Sequence, residues 1–187
     1  MAARRWSLLS AVMIGLLAVT GCAAGGGSTD DHPHDAASGG QTLSQMRESL
    51  EALPGITVSD VVGGVKPNVK GNTGYAVSLR LEPGYRIVDG PALVDLVVAS
   101  AWSVREGYMP NARIDITVRT AGDAEFDVAA AAAEAGWVTD AATTPSEYSA
   151  VSIEVTEAKE QGRRNLDRLG SWPGDVPDAS DGITVQG

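Results

Sequence analysis

The chain has 187 residues, 43% hydrophobic and only 5% aromatic, with 24 acidic against 14 basic side chains and a net charge of −10. A surface that acidic is repelled by phosphate backbones and anionic headgroups, which argues against nucleic acid as a partner and against purely electrostatic membrane adhesion. With a leader and a low-complexity stretch set aside, about 140 residues remain, which is one domain with room for a sizeable core.

Arg4 and Arg5 begin the chain's one apolar leader, residues 6–19 carry no charge and are rich in Leu, Val, Ile and Met, and small residues then lead to Cys22, the only cysteine. That is the layout of a secretory signal, and its uncharged run is shorter than the roughly 20 residues a spanning helix needs. The run Val19-Thr20-Gly21-Cys22 resembles the lipobox of bacterial lipoproteins, and the preference for Arg over Lys together with abundant Ala, Gly, Val and Asp is similar to actinobacterial lipoproteins. The resemblance implies cleavage between Gly21 and Cys22 and a diacylglyceryl cysteine that anchors the mature chain on the extracytoplasmic face of the cell membrane. Two acyl chains suffice for stable anchoring where one does not. Cleavage would remove Arg4 and Arg5 and no acid, since the first acidic residue is Asp30, leaving 12 basic against 24 acidic side chains. With Cys22 consumed, the domain has no disulfide and must stand on packing.

Residues 22–41 read as a Gly/Ser-rich flexible linker, reaching about 25 Å as a coil. Both histidines, His32 and His34, lie here among Asp30, Asp31 and Asp35. Imidazole and carboxylate are ligands for zinc, copper or nickel. Pro33 separates the rings, however, and a solvated spacer is the simpler reading, so no metal or other cofactor is assigned.

A domain is expected over residues 42–170. Thr42 with Gln45 fits a capping box, and Leu43, Met46, Leu50 and Leu53 follow at helical spacing until Pro54-Gly55. Residues 56–65 are β-branched, residues 71–74 are turn chemistry, and the next run alternates Tyr75, Val77, Leu79 and Leu81 inward with Ala76, Ser78, Arg80 and Glu82 outward, which predicts a hairpin. Asp89-Gly90-Pro91 starts a helix whose apolar stripe runs through Leu93, Leu96, Val97, Ala101 and Val104 towards Gly107. Val94, Val98 and Trp102 widen that stripe, so the helix is either covered on two sides or carries a contact patch.

Ile114, Ile116 and Val118 then alternate with Arg113, Asp115, Thr117 and Arg119 in a third strand. A short alanine-rich helix over 127–135 is anchored by Phe126 and Trp137. Val151, Ile153 and Val155 mark a fourth strand. Residues 157–169 could continue as a charged helix interrupted at Gly162, and residues 171–187 form a Gly/Pro/Asp-rich tail, disordered towards its end, with Trp172-Pro173 docking back. The predicted fold class is α+β: a two-layer sandwich of a four-stranded, mainly antiparallel sheet with helices on one face, in an order resembling a rearranged ferredoxin-like fold.

Between residues 42 and 187 there is neither histidine nor cysteine, so a Ser-His-Asp relay, a Cys-His pair or a His-bearing metal site cannot be assembled in the domain. No Ser-x-x-Lys spacing occurs, and Gly63-Gly64 and the glycines at 71 and 74 lack the Lys-Ser/Thr of a phosphate loop. No catalytic residue is assigned. Asp115 and Glu154 are nominal carboxylates for the alternative reading, an envelope hydrolase working on carboxylates alone. The wet face of the sheet, with Arg80, Arg119 and Glu154, is the candidate contact surface for an envelope protein. A second contact hypothesis rests on Trp102, Tyr108, Met109 and Trp137. The expected function is a membrane-anchored, non-enzymatic binding or accessory module of the cell envelope.

Overall fold

A computed structural model describes residues 32–121, 124–140, 146–179 and 181–187. The sandwich is built from α1 (Leu43–Glu51), β1 (Ile56–Val62), β2 (Gly74–Leu81), β3 (Tyr85–Ile87), α2 (Gly90–Trp102), β4 (Arg113–Arg119), α3 (Val128–Glu134), β5 (Tyr148–Glu154), α4 (Glu160–Leu169) and β6 (Thr184–Gln186). A four-stranded sheet has the order β1-β2-β4-β5, and β3 pairs with β6 in a separate two-stranded ribbon. The fold is α+β as expected.

Alternation decides the layers. Tyr75, Val77, Leu79 and Leu81 of β2, Ile114, Ile116 and Val118 of β4, and Ile153 of β5 are all buried, while the residues between them reach solvent. One sheet face therefore packs on the helices and the other is open. β1 and β2 form an antiparallel hairpin with an irregularity between Val58 and Asp60. β4 and β5 are also antiparallel. α2 carries the chain across the sheet, so β2 and β4 run parallel, with Gly74 opposite Arg113 and Arg80 opposite Arg119.

Local chemistry sets the helix starts. Thr42 accepts from the Gln45 backbone N–H while the Gln45 side chain accepts from Thr42 N–H, the predicted capping box. Asp89 caps α2 with Pro91 in its first turn, and Asp127 caps α3. α2 is buried on nearly every side, from Leu93 and Val94 through Trp102, because the sheet lies on one flank and α1 and α3 lie on others. Its wide apolar surface is core, not a contact patch. Gly162 does not interrupt α4: a Cβ there would stand 2.1 Å from the Thr156 carbonyl oxygen, so the glycine permits close approach.

Two expected boundaries move. The linker was expected to run free to Gln41, yet from His32 the chain lies on the domain. Asp35 N–H donates to the Gly107 carbonyl at 2.9 Å, Ala36 N–H to that of Arg105 at 2.9 Å, and buried Gln41 donates to Ser103 Oγ at 2.8 Å. Backbone pairing holds a segment whose side chains alone could not. The tail, expected to be disordered by Asp178, ends in β6. Ile183 is 1% exposed, Thr184 Oγ1 donates to the Pro54 carbonyl at 2.7 Å, and Gly187 N–H reaches the Gly84 carbonyl at 2.7 Å. Trp172 packs against the core, as expected, beside a cis Trp172-Pro173 bond.

Candidate functional site

The open face of the sheet divides into two ends with different electrostatics. At the end where β2 and β4 begin, charges are matched: Arg113 Nε lies 2.8 Å from Asp115 Oδ2, Ser152 donates to Asp115, and Lys159 pairs with Glu154. Such part-exposed pairs are satisfied surface and contribute little each. Asp115 and Glu154 are therefore each occupied by a cation rather than presented to one another as a free acid and base.

At the other end, where β2 and β4 finish, the pattern reverses. Arg80 and Arg119 are register partners on adjacent parallel strands, both exposed and both on the open face. Like charges directly opposite one another are destabilising. Neither guanidinium has a carboxylate within ion-pair distance among the described residues. The Arg119 guanidinium lies 5.7 Å from the centre of the Tyr148 ring, a cation–π contact with a ring that is itself 57% exposed.

The two arginines share a groove of about 300 Å³, lined also by Ser59, Asp60, Ser78, Thr117 and Tyr148. The irregularity in β1 turns both Ser59 and Asp60 out to solvent on this side, and Ser59 Oγ donates to the Ser78 carbonyl at 3.0 Å. The groove thus combines two guanidiniums, several hydroxyls and a phenol, with Asp60 as its single carboxylate. That set suits a ligand carrying carboxylates or phosphates, which guanidinium binds bidentately.

Of the expected contact residues, Arg80 and Arg119 are brought together and Glu154 is not. Glu154 is opposite Arg113, six positions along β4 from Arg119, or about 20 Å at strand rise. Alternation alone placed all three outward, but only the register separates them. Tyr148 was missed because it precedes the apolar part of β5, although the outward series Tyr148, Ala150, Ser152 and Glu154 carries the same period.

The aromatic contact hypothesis is overturned for its tryptophans. Trp102 and Trp137 are 3% and 2% exposed, and Trp137 Nε1 donates to Asp95 Oδ1 at 2.6 Å with Arg168 over its ring. Tyr108 packs against His34, ring centres 4.9 Å apart. His32 and His34 are thus held on the domain, and no cluster of three metal-ligating side chains occurs among the described residues. Gly21, Cys22, Asp30 and Asp31 lie outside the described residues. No family model, curated protein or solved structure matches the chain.

Proposed function

We propose that the protein is a lipid-anchored, non-enzymatic binding module of the cell envelope, held on the extracytoplasmic face of the membrane through Cys22 and using Arg80, Arg119 and Tyr148 to capture an acidic segment of a protein partner. One observation carries the reading: two unpaired guanidiniums stand side by side on the open sheet face of a chain with ten more acidic than basic side chains. Folding gains nothing from that juxtaposition. Where a chain departs from its own local rules without a structural return, a functional return is the physical explanation. The carboxylate pairs at the opposite end and the absence of His and Cys from residues 42–187 support binding over catalysis.

A photo-crosslinker placed at Thr117 in cells tests the reading directly. The expected result is a discrete crosslinked partner with an acidic surface, lost in Arg80→Glu/Arg119→Glu and progressively weakened as salt rises. Unchanged crosslinking in the charge-reversed protein would sink the proposal.

A further inference from the structure

The loop between β1 and β2 exposes apolar side chains without any folding return. Val65 is 57% exposed and Val69 fully so, with Val62 at 49% beside them. The loop is nonetheless built. Asn68 Oδ1 accepts the backbone N–H groups of Lys70 at 2.8 Å and Asn72 at 3.2 Å, Gly71 N–H closes on the Asn68 carbonyl at 2.8 Å, and Thr73 Oγ1 ties back to the Val65 carbonyl at 2.8 Å. Val69 and Lys70 are the two central residues of that turn. Central turn positions favour Gly, Pro, Asn, Asp and Ser, so a β-branched apolar residue there is unexplained by the turn itself.

Charge and chain connection say what meets this tip. Lys66 and Lys70 are two of the chain's three lysines, both exposed and both unpaired among the described residues. At the neighbouring loop Asp35 Oδ1 accepts the Gly107 N–H at 2.7 Å and Glu106 Oε2 accepts the Leu43 N–H at 2.8 Å, so both acids are tied to backbone donors although their side chains reach solvent. His32, where the chain first lies on the domain, stands against Gly71 of the same loop, within 3.5 Å of where a Cβ would be. Cys22 precedes His32 by only ten positions. Fully extended, ten residues span at most about 36 Å, which sets the greatest distance between His32 and an acylated Cys22.

We infer that the 65–70 loop is a membrane-contact tip, with Val65 and Val69 entering the headgroup boundary of the bilayer and Lys66 and Lys70 meeting anionic headgroups. The inference rests on anchoring through Cys22. It also orients the molecule: the tip lies at the start of β2, and Arg80 lies six residues further along that strand, about 20 Å away towards the opposite end. The arginine pair is then presented away from the membrane.

The full-length protein, produced with lipidation and reconstituted into phosphatidylcholine–phosphatidylglycerol vesicles, tests this with an environment-sensitive fluorophore on Val69→Cys and, separately, on Tyr148→Cys. The expected result is blue-shifted emission at 69, quenched by headgroup-proximal spin-labelled lipid, with neither effect at 148. Adding Lys66→Glu/Lys70→Glu should lower the contact equilibrium at least roughly fivefold for each lysine removed. Unshifted, unquenched emission at 69 on protein that floats with the vesicles would overturn the inference and leave the anchor standing. A shift that grows with protein density but resists lipid quenching would assign the tip to a second copy and overturn it equally. The anchor is read separately: otherwise wild-type protein should float and take up no thiol label, whereas Cys22→Ser should not float. Labelling of wild-type protein that stays unfloated would overturn anchoring and tip together.

Discussion

At the scale of single residues, the sharpest consequences come from positions where backbone or burial leaves no choice. Replacing Gly162 in α4 by alanine would normally add about 1 kcal/mol of helix stability. Here the new methyl meets the Thr156 carbonyl oxygen at 2.1 Å, so α4 must shift away from the end of β5. We expect Gly162→Ala to lower stability by about 1–3 kcal/mol, a fall in Tm of roughly 2–4 °C per kcal/mol by calorimetry, and a raised Tm would refute the close-approach account. Tyr75 gives a pH signature. Burial, reinforced by the Glu106 charge, raises its phenol from 10.0 to about 12, while its hydroxyl donates to the Glu106 carbonyl at 3.2 Å. The unfolded chain ionises first, so this contribution is intact below pH 10 and is lost as pH rises through about 12. Ultraviolet titration should show a late tyrosine ionisation, and Tyr75→Phe should remove that step. Neither position announced itself in the sequence: Gly162 reads as a helix breaker and Tyr75 as one inward residue among four, because the turn that folds Thr156 onto α4 and the approach of Glu106, 31 positions from Tyr75, are not written in local pattern.

At the scale of elements, period and punctuation made most of the fold legible. Alternation in β2 and β4, the Thr42–Gln45 box and the Asp89-Gly90-Pro91 start all produced the elements they predict. What periodicity cannot supply is register between strands distant in sequence, and the site depends on that. Arg80 and Arg119 were legible as outward residues, but their adjacency follows from the parallel pairing that α2 imposes on β2 and β4. The free edge of β1 shows a second device outside the reach of pattern. Arg47 Nη1 donates to the Val58 carbonyl at 2.6 Å and Glu51 Oε1 accepts from Val58 N–H at 3.2 Å, so two side chains of α1 occupy one residue of the strand edge. The two also pair with each other at 3.7 Å. Unprotected edges template pairing between molecules. Arg47→Ala/Glu51→Ala should cost about 1–2 kcal/mol and, more tellingly, accelerate heat-induced aggregation followed by light scattering. Glu51→Gln, which keeps the acceptor oxygen, should aggregate like wild type; equal aggregation of all three proteins would discard the edge-blocking role.

At the scale of the whole molecule, the domain is closed by segments whose composition argued for disorder. Residues 32–41 pair with the loop after α2, and β6 pairs with β3, so each closure is a few backbone hydrogen bonds plus one or two buried side chains. Three-residue strands are too short for any period, and Gly, Pro and Asp around them read as solvated chain, which is why the tail's role was illegible. Its energetic centre is Ile183, 1% exposed, with its carbonyl accepting from Val88 N–H at 2.9 Å and Thr184 bonded across to Pro54. Burying an isoleucine contributes about 1.5–3 kcal/mol, and truncating one leaves a cavity as well. Ile183→Ala should therefore cost about 2–4 kcal/mol in a denaturant titration, far above the near-zero effect of a substitution in a solvated tail. Because the ribbon rests on Pro54 and Gly84 at the turns that end α1 and β2, its loss should also speed proteolysis there while leaving the 65–70 loop no more sensitive than before. Cleavage spreading evenly over the surface would mean the tail stabilises the domain only globally; an unchanged unfolding midpoint would mean that it does not close the core at all.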